Sequence, residues 1–222
     1  MRILIRPRPS QSLDPAHRVV VRPARIGVSA RPLRVLDFDI ENRPLSYLGS
    51  DFTTAEVTAI AWAWTDRQDD VTVHLLGETD LIDILRRFVD AFDMADMVTG
   101  HFILGHDLPM INGALMECRL PALSNKLVSD TKVHLIKRKG ISCSQESLGA
   151  MLRLDHAKVQ MNQTRWRAAN RLTPEGLALV RERVTGDVIQ HMAMRKELAA
   201  LGYLSAPKLW RSGTAKVEQY TP

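Results

Sequence analysis

Arg34-Val-Leu-Asp-Phe-Asp-Ile-Glu41 reads as a β-strand that Pro44 brings to an end. Working outward from it settles the fold class. Glu56-Val-Thr-Ala-Ile-Ala-Trp-Ala-Trp64 is a second strand, apolar enough to be central in a sheet. Asp70-Val-Thr-Val-His-Leu-Leu76 is a third, in which Val71, Val73 and Leu75 alternate with Thr72 and His74. The polar run Asp66-Arg67-Gln68-Asp69 joins the second and third as a hairpin. Helices then alternate with short strands. Leu81, Ile84, Leu85, Phe88 and Phe92 recur at helical spacing behind Thr79 as cap. A short strand is predicted at 96–100, a helix from 107–109 to 119, a strand at 127–130 and a helix at 145–154 behind Ser144. A long last helix starts at Thr173-Pro174 and stops at Gly202. Gly176 and Gly186 weaken its interior. A meander followed by alternating helices and strands predicts an α/β fold, a central mixed five-stranded sheet flanked by helices.

The chain of 222 residues suffices for one domain with tails, and 45% apolar with 25% charged residues is globular composition. It excludes a disordered chain, a collagen and a coiled coil. No run of eighteen apolar residues spans a membrane, and no apolar stretch follows the first arginines as in a secretory signal. Cys118 and Cys143 make neither a disulfide framework nor a four-ligand zinc site, so a reducing, cytoplasmic setting is expected. Glycine-rich dinucleotide and P-loop motifs are absent.

The charge is unevenly placed. Residues 1–34 hold eight arginines and one acid, Asp14, so that segment is +7 and the rest of the chain −2 within the total of +5. The predicted organisation is a Pro/Arg-rich arm over 1–32, one domain over 33–203 and a loosely held tail over 204–222. The arm suits a polyanion, most simply nucleic acid, or is a solvated extension. Arg18-Val-Val-Val-Arg22 within it could be a short strand laid on the body.

The chemistry concentrates in acids. Asp39 and Glu41, two apart on a strand, share one face, with Asp37 beside them. Carboxylates held together on an apolar strand call for a hard divalent cation. Asp107 follows a short strand in Gly100-His-Phe-Ile-Leu-Gly-His-Asp-Leu-Pro109, and Asp187 sits inside the last helix among Val184, Val188 and Ile189.

Phe38-Asp-Ile-Glu41, then Gly-His-x-x-x-x-x-Asp-Leu-Pro, then an aspartate in a late helix, resembles the DEDD superfamily of 3′–5′ exonucleases, which have an RNase H-like fold. Ser129-Asp-Thr-Lys-Val-His-Leu135 and Glu146-Ser-Leu-Gly-Ala-Met-Leu152 resemble segments of the same family, and Asn42-Arg43-Pro44 is similar to the DNA-polymerase-B-type branch. The resemblance spans about 33–200. It implies that Asp39, Glu41, Asp107 and Asp187 hold two divalent ions, Mg²⁺ or Mn²⁺. The implied substrate is a single-stranded or frayed 3′ end, DNA before RNA, with a replication or repair complex as a further partner.

The chain departs from the family pattern at three places. The slots for a general base, Tyr four residues or His five residues before the last aspartate, hold Arg183 and Glu182. Phe102 stands where Asn is common, and His106 where an aromatic precedes Asp107. Arginine does not deprotonate at neutral pH, so Arg183 is expected to bind phosphate. Water is then activated by metal alone or by a relocated base, His191, His106 or Glu182. His191 is one turn beyond Asp187 on the face that also carries Arg183. Phe102 is either a wedge against the terminal base or core. Trp62 and Trp64 are expected in the core, and Trp166 among Lys158, Arg165, Arg167 and Arg171 suits a single strand or anchors a helix. A catalytically inactive binding module with this fold is the alternative, and an RNase H-like endonuclease a third.

Overall fold

The structure is a computed structural model, and it describes residues 31–45, 53–155 and 159–213. The arm up to residue 30, with the strand expected at 18–22, lies outside these, as do Lys158 and residues 214–222. In chain order the elements are β1 (Val35–Pro44), β2 (Ala55–Trp64), β3 (Thr72–Leu75), α1 (Leu81–Met94), β4 (Met97–Gly100), α2 (Asp107–Glu117), β5 (Lys126–Asp130), α3 (Thr131–Leu135), α4 (Gln145–Met151), α5 (Gln163–Asn170), α6 (Pro174–Ala200) and β6 (Lys208–Trp210).

Among the described residues the sheet has six strands in the order β3-β2-β1-β4-β5-β6. β1, β4 and β5 are parallel, while β2, β3 and β6 run antiparallel to their neighbours. The mixed α/β sheet flanked by helices is the expected architecture. The strand count is a correction. Lys208–Trp210, expected in the tail, pairs with Lys126–Val128 as an edge strand. Three residues carry no readable alternation, so only the tertiary pairing makes them a strand.

Period two divides the sheet into faces. Leu36, Phe38 and Ile40 of β1 join Val57, Ile60 and Trp62 of β2 under α1 and α2, where Phe88 and Phe92 are fully buried. Each such ring stabilises the fold by roughly 2–3 kcal/mol. Trp64 packs against this core, as expected of both tryptophans on β2. On the other face Ala59, Ala61 and Ala63 offer small side chains on which Val180, Val184, Val188 and Met192 of α6 lie. That face of β1 carries Asp37, Asp39 and Glu41, so the packing that buries α6 also brings it over the acids.

The helix ends follow local chemistry. Thr173 accepts from the Gly176 N–H with Pro174 at the first position, as the sequence predicts. Ser144 caps α4, which stops at Met151 because Leu152 is its C-cap and Arg153 takes φ 55°. The cap of α1 is Asp80 rather than Thr79, which is drawn into a bridge with Leu76. No helix among the described residues is long and apolar enough to cross a membrane.

Candidate metal centre at the carboxyl end of the first strand

Asp37, Asp39 and Glu41 ascend one face of β1 in steps of about 6.7 Å, twice the rise of a strand residue. His191, Asp187 and Arg183 follow one face of α6 in steps of about 6.0 Å, four residues each. The steps nearly match and the two elements run antiparallel, so the side chains meet as rungs. His191 Nδ1 lies 2.9 and 2.7 Å from the two oxygens of Asp37. Carboxylate oxygens of Asp39, Glu41 and Asp187 all lie within 4.8 Å of one another. Arg183 Nε donates to Glu41 Oε1, and its Nη2 is 3.9 Å from Asp187 Oδ2. The middle rung therefore sets carboxylate against carboxylate, with a basic side chain on each side.

Asp107 reaches the same place from the other edge. β4 pairs with β1 only as far as Asp37↔Thr99, so the Ile40 N–H has no strand partner on that side. Asp107 Oδ1 accepts it at 3.2 Å, which fixes the carboxylate beside the segment joining Asp39 and Glu41. Burial pushes the Asp107 carboxyl above its ordinary pKa. His106 Nδ1 stands 3.4 Å from Asp107 Oδ2, and that contact raises the imidazole pKa. The His106 side chain is 43% exposed, at the open edge of the cluster.

The loop that delivers Asp107 is held by a residue the sequence reading passed over. Asp130, 1% exposed at the end of β5, accepts from the backbone N–H groups of Phe102 at 3.0 Å, Leu104 at 2.9 Å and Val133 at 3.1 Å. Its Ser-Asp-Thr setting signals a helix cap, which it is for α3, but two of the three bonds go to the distant loop. Phe102 takes φ 73° there, its ring covers Gly105, and Lys132 Nζ lies 4.0 Å from the ring centroid. Gly100 is required where β4 ends, because a Cβ would meet Ile103 Cγ2 at 2.3 Å and the Phe38 carbonyl at 2.8 Å.

His191 lies below the acids, 2% exposed. Its Nε2 is 3.0 Å from Thr131 Oγ1, which is 2.9 Å from His101 Nδ1, and His101 Nε2 is 2.9 Å from the Cys143 carbonyl. Burial lowers the His101 pKa to about 4, so at neutral pH it carries one N–H. The carbonyl requires that hydrogen on Nε2. The Thr131 hydroxyl then donates to His101 Nδ1, with the Gly100 carbonyl a second acceptor at 3.3 Å, while His191 Nε2 lies against the same oxygen. His191 Nδ1 faces both oxygens of Asp37, whose carboxyl burial pushes up. Both nitrogens of His191 are thus engaged. Glu182 is exposed, next to Arg183 but off its helix face. Arg43 is tied to Glu56 and the Asn170 carbonyl.

The donor set suits a hard divalent cation: three carboxylates from β1 and α6 within 4.8 Å, and a fourth beside them. The cluster lies where β1 projects past the end of β4, the place where open α/β sheets bind ligands.

No protein-family model matches the chain, and no curated protein matches it. Among solved structures it is similar to the family B DNA polymerase from the hyperthermophilic archaeon Pyrobaculum calidifontis, with 17% identity and a TM-score of 0.62. The match covers 78% of this chain and 25% of the polymerase, so the chain spans about a quarter of its length. At that identity the likeness is one of fold, and it agrees with the RNase H-like α/β arrangement expected from the sequence.

Proposed function

We propose that the chain is a divalent-metal-dependent 3′–5′ exonuclease that removes nucleoside monophosphates from single-stranded or frayed 3′ ends, DNA in preference to RNA. The observation that carries this reading is the convergence of Asp39, Glu41 and Asp187, with Asp107 pinned alongside. Fold alone does not assign an activity. The preference for DNA rests on the resemblance to the polymerase-B-type branch and on the polymerase neighbour.

Asp39, Glu41, Asp107 and Asp187 would hold Mg²⁺ or Mn²⁺, which when bound supplies an activated water and neutralises charge on the departing 3′ oxygen. The protein fixes these carboxylates on a strand, a helix and a braced loop, so little reorganisation is needed during reaction. His106, open to solvent beside Asp107, is the histidine placed to accept a proton from the attacking water. His191 is a positioning residue that anchors α6 to Asp37. Phe102 and Lys132 offer a ring and a charge for the terminal nucleotide, and Arg183 a fork for phosphate. Work inside the cell beside a replication or repair complex belongs to the same proposal.

One observation favours the second reading, a nucleic-acid-binding module without activity: Arg183 already pairs with Glu41 and Asp187. The two readings separate on a 5′-labelled single-stranded DNA oligonucleotide with Mg²⁺ or Mn²⁺, beside EDTA and Asp39→Ala controls. The exonuclease gives a ladder shortening from the 3′ end that both controls abolish. Internal fragments would indicate an endonuclease. Bound but intact DNA, with RNA and 3′-mismatched duplex equally intact, would establish the binding module.

A further inference from the structure

The basic side chain nearest the acids is not a bystander. The Arg183 side chain is 13% exposed and its guanidinium has four partners. Nε donates to Glu41, Nη2 faces Asp187 at 3.9 Å, Nη1 donates to the Val159 carbonyl at 2.8 Å, and the group lies 5.3 Å from the centroid of the Trp166 ring. Two of these four partners, Glu41 and Asp187, belong to the three-carboxylate cluster, so a +1 charge already stands between carboxylates that a divalent ion would share.

We infer that Arg183 is a built-in counter-cation that takes the place of one of the two divalent ions at this site. Resting on the metal-site reading above, this leaves Asp39, Asp107 and the second oxygen of Asp187, Oδ1, for a single ion. The two holds outside the cluster, the Val159 carbonyl and the Trp166 face, keep the guanidinium in place when that ion binds. A planar fork there also presents N–H groups to a phosphate, which a bound metal ion would otherwise have to neutralise alone. The arginine in the slot that the resemblance gives to a general base thus acts by charge and not by proton transfer.

The test is Mn²⁺ binding to the full chain, followed by the paramagnetic resonance signal of free Mn²⁺, with thermal unfolding in EDTA as a fold control. Arg183→Gln removes the charge and leaves an amide of some reach. Arg183→Lys keeps the charge. Arg183→Gln is expected to bind Mn²⁺ about tenfold more tightly than the natural chain, equivalent to about 1.4 kcal/mol, with Arg183→Lys near the natural affinity. In EDTA, Arg183→Gln should melt below the natural protein, because its carboxylates lose their counter-ion, and Mn²⁺ should raise its melting temperature by the larger amount. If Arg183→Gln folds only with Mn²⁺, that rescue is the same result. Equal or weaker Mn²⁺ binding by Arg183→Gln, or no rescue, overturns the inference and leaves the metal-site reading standing if the natural chain binds. No Mn²⁺ binding by the natural chain or either variant overturns both.

Discussion

Asp130 offers the sharpest test of how the site is held. It is 1% exposed and accepts three backbone N–H groups, two in the loop before Asp107 and one at the start of α3. Asp130→Ala removes all three acceptors at once. The α3 cap is worth about 1 kcal/mol. A bond to a charged acceptor contributes about 1.5–3 kcal/mol, so the two loop bonds together are worth roughly 3–6 kcal/mol. Water entering the vacated space recovers part of this, and a net loss of about 3–5 kcal/mol is expected. Asp130→Asn separates the bonds. Its carbonyl can still accept from Phe102 and Val133, but its amide then confronts the Leu104 N–H, donor against donor. Its loss should be about half as large. Urea unfolding of the natural chain and both variants reads the difference, provided that the slope with urea is unchanged. The loop also delivers Asp107, so Mn²⁺ affinity should fall in the same order under conditions where all three are folded. A loss below about 1 kcal/mol in Asp130→Ala would mean that the loop is held by packing. Equal losses in the two variants would refute the separate roles of the two oxygens.

The two glycines within α6 should respond with opposite sign. Nothing lies within 4 Å of a Cβ at Gly186, so Gly186→Ala should stabilise by about 0.8–1 kcal/mol through helix propensity. A Cβ at Gly176 would meet the Ala168 carbonyl oxygen at 2.3 Å, so Gly176→Ala should cost about 1–3 kcal/mol despite the same propensity gain, both read from chemical unfolding. His101 gives a pH signature. Its folded pKa of about 4 is below its unfolded value, so its contribution is complete above pH 6.5 and is lost as the pH falls towards 4. The natural chain should lose up to about 3 kcal/mol relative to His101→Gln across that window. Taking the difference cancels Asp37 and Asp107, whose raised carboxyl pKa values act in the opposite sense. A flat difference would exclude a neutral, carbonyl-bound His101.

What the sequence made legible is what depends on local period. Asp37, Asp39 and Glu41 share a face by period two, and Arg183, Asp187 and His191 share one by the helical turn. Both readings needed only neighbours in the chain. The burial of His191 was not readable, because its partner Asp37 is 154 residues away and the neighbouring helix positions include both buried and exposed side chains. Arg183 was readable as a residue that cannot be a base, but not as the partner of Glu41, 142 residues away. Asp130 was passed over because its one local bond is an ordinary helix cap. Its two longer-range bonds depend on where β4 ends. β6 was invisible because a short edge strand is defined by the neighbour that accepts it.

The pitch match between β1 and α6 explains why the site has the size it has. Two strand residues advance about 6.7 Å and four helix residues about 6.0 Å, so the rungs drift by about 0.7 Å each. Over three rungs the drift stays within what side-chain rotamers absorb. The next turn of α6 brings Arg195, and the strand position two before Asp37 is Val35, so no fourth rung of facing ionisable side chains forms. The charge of Arg195 nevertheless reaches Asp37 and favours its ionised form. Arginine and histidine thus bracket the like-charged rung of Asp39 and Asp187, and the two ends can satisfy their own acids within the fold. The middle rung has acid on both elements, and packing α6 on the alanines of β2 forces them together. Two carboxylates brought face to face repel each other, and a bound cation relieves that repulsion, so Asp39→Asn should raise stability in EDTA while weakening Mn²⁺ binding. A stability loss in EDTA together with unchanged Mn²⁺ binding would make the pair structural.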